Sequence, residues 1–172
     1  MQDWKETLIE RAKKQGMCRE NFTALERLSD RRSAVALYKR TVDWALENGY
    51  PGLDVIREYF SGMEQDGIYV DRDFKYDNVV SQVSVFHNCS GTIRAGLNME
   101  TMVIPMLYLA NGSRLVIDGN GSTDWAVTVP VYVCDGCEAV QGKGVKLILY
   151  IFTVLAKKLK YFQILKMVSL MA

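Results

Sequence analysis

Apolar and polar residues alternate along this chain with two different periods, and the change falls near Gly67. Upstream, apolar positions recur every three or four residues, the spacing of one helix face. Trp4, Leu8, Ile9 and Ala12 share such a face, while Lys5, Glu6, Glu10, Lys13 and Lys14 point elsewhere. Asp3 and Glu6 resemble a capping box, and Gly16 suits the stop. A short second helix carries Phe22, Leu25 and Leu28. The third is the clearest: Val35, Tyr38, Val42, Ala45 and Leu46 form a stripe that predicts a helix from about Arg31 to Asn48, ended by Gly49 ahead of Pro51. A fourth follows, with Leu53, Ile56, Tyr59 and Phe60 inward and Gly62 as its end. At these spacings the aromatic residues read as core.

From "GIYVDRDF" onward the alternation turns β-rich, and it repeats. "LYLANGSRLVI" at 107–117 returns as "VYVCDGCEAV" at 131–140, an offset of 24 that aligns Tyr108 with Tyr132, Asn111 with Asp135 and Gly112 with Gly136. A weaker copy, "VSVFHNCSGTI", puts Asn88 23 residues before Asn111. Each unit reads as a strand, an Asn/Asp-Gly type turn, a second strand and a return segment, with Pro105 and Pro130 at corners. The fold class expected is α+β: an N-terminal helical segment capping a short repetitive β-domain, β-solenoid-like, with an antiparallel β-sandwich as the alternative. The domain organisation follows. Residues 1–62 form the helical adaptor or cap, 63–82 a connector with the first strands, 83–144 about three units of 23–25 residues, and 145–172 an apolar basic tail.

Composition sharpens this division. The whole chain has a net charge of only +1, so no global field favours a nucleic-acid partner. By segment, residues 1–62 carry eleven basic and ten acidic side chains, 63–144 five and ten, and 145–172 five and none. The N-terminus intersperses charge with apolar residues, which does not suit a signal peptide, so the expected location is cytoplasmic and the four cysteines are expected as free thiols.

The helical part with "LYKRTVDWALENGYPGLDVIREYFSG", followed by "GIYVDRDF", "NCSG" and a "LYLANGSRLVI"-like unit, resembles a group of uncharacterised proteins from gut anaerobic bacteria, their phages and mobile elements. The resemblance covers about residues 1–144 and rests on structural motifs. It implies a helical adaptor fused to a β-solenoid-like repeat domain, with no activity, cofactor or catalytic residue to carry over. The C-terminus departs from it, because the β-repeats of similar proteins continue where this chain turns to "VKLILYIFTVLAKKLKYFQILKMVSLMA", as a truncated or frame-shifted end would.

Chemistry-bearing motifs are few. Cys134 and Cys137 form a Cys-x-x-Cys, but "VYVC" reads as a strand and "DG" as a turn, without the helix N-terminus that activates a redox cysteine. A zinc site would need His87 and Cys89 as further ligands. Cys89 precedes Cys137 by two repeat offsets with Ser113 between them, so no metal is expected. His87, the single histidine, reads as a turn or solvent-edge residue. Asp118, Asp124 and Asp135 sit in Gly/Asn/Ser-rich turns, where aspartate serves the backbone, so no catalytic residue is assigned and no cofactor expected. Tyr108 and Tyr132 form a possible surface or ligand column.

In the tail, Ile148, Phe152, Leu155, Leu159 and Phe162 follow a helical seam among lysines. The charge-free run 147–156 is too short to span a membrane. Phe152, Leu155, Leu159 and Phe162 are expected at an interface, making the chain a homo-oligomer through its tail. The functional expectation is a non-enzymatic structural or protein-interaction module with an unknown protein partner, possible in a phage or mobile element. The alternative is a glycan-binding or glycan-cleaving β-solenoid protein.

Overall fold

A computed structural model describes residues 3–121, 126–152 and 164–166. Five helices come first: α1 (Trp4–Gln15), α2 (Arg19–Glu26), α3 (Arg31–Arg40), α4 (Val42–Glu47) and α5 (Leu53–Tyr59). A 3-10 turn at Glu64–Asp66 leads into the strands. These are β1 (Ile68–Val70), β2 (Asp73–Asn78), β3 (Val83–His87), β4 (Ser90–Arg94), β5 (Met106–Ala110), β6 (Arg114–Asp118), β7 (Val127–Cys134), β8 (Glu138–Gln141), β9 (Val145–Phe152) and β10 (Ile164–Lys166).

Helix starts and stops follow local chemistry only in part. Asp3 is the N-cap of α1 but makes no side-chain cap bond, so the expected capping box is not formed. The cap that does form is Asp30, whose carboxylate accepts from the Ser33 amide at 2.7 Å. The single helix expected from Arg31 to Asn48 is broken at Thr41. There the hydroxyl donates back to the Leu37 carbonyl at 3.0 Å, and a β-branched residue with this bond bends a helix. Tyr38 and Val42, on either side of the break, are buried in the same core.

Successive strands go to different sheets. The larger sheet has the order β1-β3-β5-β7-β9, all parallel, with the short β10 antiparallel on β9. The smaller has the order β2-β4-β6-β8, also parallel. Inward side chains from both sheets meet in one core that includes Phe74, Phe86, Ile93, Leu107, Leu115, Ile117, Val131 and Leu147. At its first layer Tyr69 stacks on Phe86 with centroids 4.8 Å apart, and Phe74 meets Phe86 edge-on at 5.7 Å.

The outward face of the larger sheet is where the helices lie. Ile68, Val85 and Tyr108 are adjacent in register and buried in the same cluster as Leu8, Leu25, Tyr38, Ile56 and Phe60. Cover thins toward β7 and β9, where Tyr132 and Tyr150 are half-buried. Among the described residues no helix lies on the outward face of the smaller sheet.

The fold class is therefore corrected. The structure is α/β, with two parallel sheets of five and four strands, and neither a helical cap on a β-solenoid-like stack nor an antiparallel sandwich. Strand direction removes the sandwich. The helical cap fails because the helices pack across a sheet face: the apolar outward column Ile68, Val85 and Tyr108 offers far more surface to bury than a strand edge does.

Two smaller expectations change as well. Pro130 lies inside β7, not at a corner, and is tolerated because pairing with β5 starts only at Val131. Residues 145–152 form a strand, not the start of a helical seam, and Val145 and Leu147 are buried in the core between the sheets. A strand apolar on both faces reads as a continuous run, so its period of two was not visible.

Candidate functional site

The densest group of polar side chains lies where the turns after β1, β3 and β5 meet α3 and α5. His87 is the last residue of β3, on the outward face, and α3 covers it to 1% exposure. Its Nε2 lies 3.1 Å from the Tyr38 hydroxyl, and its Nδ1 lies 2.8 Å from the Asn111 side-chain nitrogen. An amide nitrogen can only donate, so Nδ1 accepts and the ring proton sits on Nε2, facing Tyr38. Burial holds the imidazole pKa down to about 3, against the opposing pull of Asp71. Burial likewise drives the Tyr38 hydroxyl well above the ordinary phenol range.

Asp71 occupies the turn after β1. Arg57 from α5 grips its carboxylate with both nitrogens, at 2.7 and 2.8 Å, and Asn88 donates to it at 2.7 Å. These bonds, the arginine first, lower its pKa to about 2. The Asp71 amide in turn donates to the His87 carbonyl at 2.9 Å. Two helices are thus tied to three turns by side-chain hydrogen bonds. Such a network orients backbone and helix against one another.

The expected turn position of His87 is corrected by this burial. In sequence, His87 shares the parity of Val83 and Val85, which marks the outward face; that a helix covers that face is not readable there. Tyr38 was read only as part of a helix stripe, and Arg57 and Asp71 were not singled out. Asn88 and Asn111 did stand out as turn residues 23 apart, and both adopt positive φ here.

The cysteines are dispersed by the strand register. Ser90, Arg114 and Glu138 pair in succession, so the residues just before them, Cys89, Ser113 and Cys137, form one column with the serine in the middle. The Ser113 hydroxyl accepts from the Cys89 amide at 3.0 Å and donates to the carbonyls of Phe86 and Ala110. Cys134 ends β7 and shares a turn with Cys137, whose amide donates to the Cys134 carbonyl at 3.1 Å. Burial raises the thiol pKa values, Cys134 to about 12 and Cys89 to about 11, the opposite of thiolate activation. Among the described residues no group of three or more His, Cys, Asp or Glu side chains converges as a metal site would require.

Tyr108 and Tyr132 do come together, and Tyr150 extends them. Their rings stack at 4.4 Å and 4.6 Å, nearly parallel. Tyr108 is buried under the helical part, beside the Asp43 carboxylate. In the sheet register β10 pairs with β9 at Tyr150. A sugar ring needs a free aromatic face, and in this column the ring faces are turned toward one another. Of the carboxylates, Asp118 accepts from the Lys143 amide at 2.9 Å and so serves a turn, Asp135 is exposed, and Asp124 lies outside the described residues.

A cavity of about 10 Å³ lies among Leu8, Leu25, Leu37, Tyr38 and Phe60, room for at most one water. Phe152 ends β9, and Leu155, Leu159 and Phe162 of the expected tail interface lie outside the described residues. Comparison with protein-family models, with curated proteins and with solved structures found no match. Among the described residues no helix is long and apolar enough to cross a membrane.

Proposed function

We propose that this chain is a non-enzymatic structural or protein-interaction module. The observation that carries the reading is the contrast between its two sheets. The outward face of the larger sheet is covered by helices, whereas among the described residues no element covers that of the smaller sheet. On that face Asp73, Ser90, Arg114 and Glu138 stand in one row, with Lys75, Thr92, Val116 and Val140 in the next. Side chains spaced by about 4.8 Å within each row make a flat surface suited to another macromolecule and poorly suited to enclosing a small one.

The polar network around His87 supports the same reading, since its groups are spent on holding helices to turns. A cytoplasmic setting agrees with the four free cysteines. Association with a phage or mobile element rests on the resemblance of residues 1–144. Self-association through the apolar tail belongs to the same proposal.

The test is affinity capture from native extracts with the wild-type chain beside an Arg114→Glu, Val116→Asp variant. A partner retained by the wild type and lost by a variant of unchanged melting temperature is expected. Equal retention would remove the face from consideration. Carbohydrate binding on a glycan array that vanishes in Tyr132→Ala would replace this proposal with the glycan-directed alternative.

A further inference from the structure

The two edges of the smaller sheet are built differently. At β2 the strand bulges at Tyr76, which has φ of 65°, and charge alternates along it as Asp73, Lys75 and Asp77. Arg72 lies 5.1 Å over the Phe74 ring and reaches Glu64 and Asp77. Bulges and charges of this kind keep a foreign strand from adding to an edge. The opposite edge, β8, has no bulge and a single charged residue, Glu138, at its start. Its sequence is Glu-Ala-Val-Gln, and Val140 is 43% exposed.

Hydrogen bonding shows which groups β8 leaves available. Glu138 donates to the Ser113 carbonyl at 2.9 Å and Gly142 to the Ile117 carbonyl at 2.8 Å. In a parallel ladder the N–H and C=O of one residue point to the same side and alternate along the strand. The peptide groups of Ala139 and Gln141 therefore face away from β6, and the sheet order ends there among the described residues.

We propose that this edge is a homodimer interface, on which a second copy of the chain adds its own β8 antiparallel across a two-fold axis through Val140. The inference rests on the interaction-module reading and names one partner for it. In that register Ala139 faces Gln141 of the second copy and Gln141 faces its Ala139, so the outward peptide groups of both copies are paired. Val140 meets its own counterpart on the axis as a non-hydrogen-bonded pair, and two exposed valines are buried together. Glu138 arrives opposite Gly142 and beside Lys143 of the second copy, and both charged side chains are exposed in one chain. The edge is thus complementary to itself in hydrogen bonds, apolar surface and charge, which selects a second copy over an unrelated strand.

The register gives a sharp test in the full chain. Across a non-hydrogen-bonded antiparallel pair the Cα atoms are about 4.5 Å apart, within disulfide reach. Val140→Cys, treated with oxidised glutathione, is expected to form a disulfide-linked dimer in higher yield than the wild type or Lys75→Cys, an exposed control at the far edge. Equal yields in the three proteins would overturn the proposal. Sedimentation supplies the second arm: Val140→Lys is expected to halve the assembly state of the wild type with unchanged circular dichroism, because two ammonium groups would meet on the axis. A Val140→Lys protein with the assembly state of the wild type also overturns it. Either failure leaves the interaction-module reading intact, since that depends on the Arg114 and Val116 face.

Discussion

An imidazole sealed between a helix and a sheet has to fold without its proton. In the unfolded chain His87 titrates near 6.5, and in the folded one near 3, so the unfolded state binds more protons everywhere between. The sign follows: the folded state has its full margin above pH 6.5 and loses it as pH falls toward 3. Between pH 7 and pH 5 the loss amounts to about 2 kcal/mol. Because His87 is the only histidine, the effect has one source. Urea unfolding at the two pH values is expected to show this drop in the wild type and a nearly flat profile in His87→Gln. A wild-type profile as flat as the variant's would mean that the ring is solvated. Asp71 does not share this window, since its carboxylate changes charge only below its ordinary value near 4. Ser84 illustrates the opposite case at the same scale, for its hydroxyl is buried without a partner among the described residues, at a cost of about 1–3 kcal/mol.

Among the elements, the smaller sheet shows how backbone geometry limits sequence. Gly91 in β4 has φ of 101°, and a Cβ there would come within 2.2 Å of the Phe74 carbonyl oxygen in β2. Strand spacing leaves no room to relieve that contact, because Phe74 is pinned between Phe86 and Arg72. Gly136 also has positive φ, at 76°, but open space surrounds its missing side chain. Gly136→Ala therefore bears only backbone strain, about 1 kcal/mol, whereas Gly91→Ala adds a steric clash and is expected to cost more than about 2 kcal/mol. Paired melting curves read the difference directly, and equal shifts would show that β2 moves aside freely. The turn at Gly136 was legible in the sequence from its neighbours Asp135 and Cys137. Gly91 was not, because the demand comes from a strand 17 residues upstream.

For the whole molecule, the decisive feature is that the helices complete the larger sheet. Ile68, Val85 and Tyr108 are buried by them, and each large apolar side chain so covered contributes about 1.5–3 kcal/mol. His87 depends on the same cover for its Tyr38 partner. A chain comprising residues 63–172 would expose this column and leave the imidazole beside water. The fragment is expected to aggregate, or to bind a hydrophobic dye strongly in its soluble fraction. A monomeric fragment with native-like circular dichroism and no dye binding would show that the β part holds its fold unaided.

Much of the secondary structure was settled by the chain itself, since helix spacing up to Phe60 and β alternation beyond Gly67 are local properties of side-chain order. The pairing of Tyr108 with Tyr132 was present too, as an offset of 24 between similar segments, because strands that pair in register repeat their turn residues in register. What the sequence could not express is which face of a strand another element will cover. Val85 and Phe86 look alike in composition, yet one packs under helices and the other between sheets. His87 became a buried, neutral, twice-bonded ring for that reason alone. The strand at Val145–Phe152 was decided in the same way, by a neighbouring surface that gained more burial from the alternative geometry than local propensity lost.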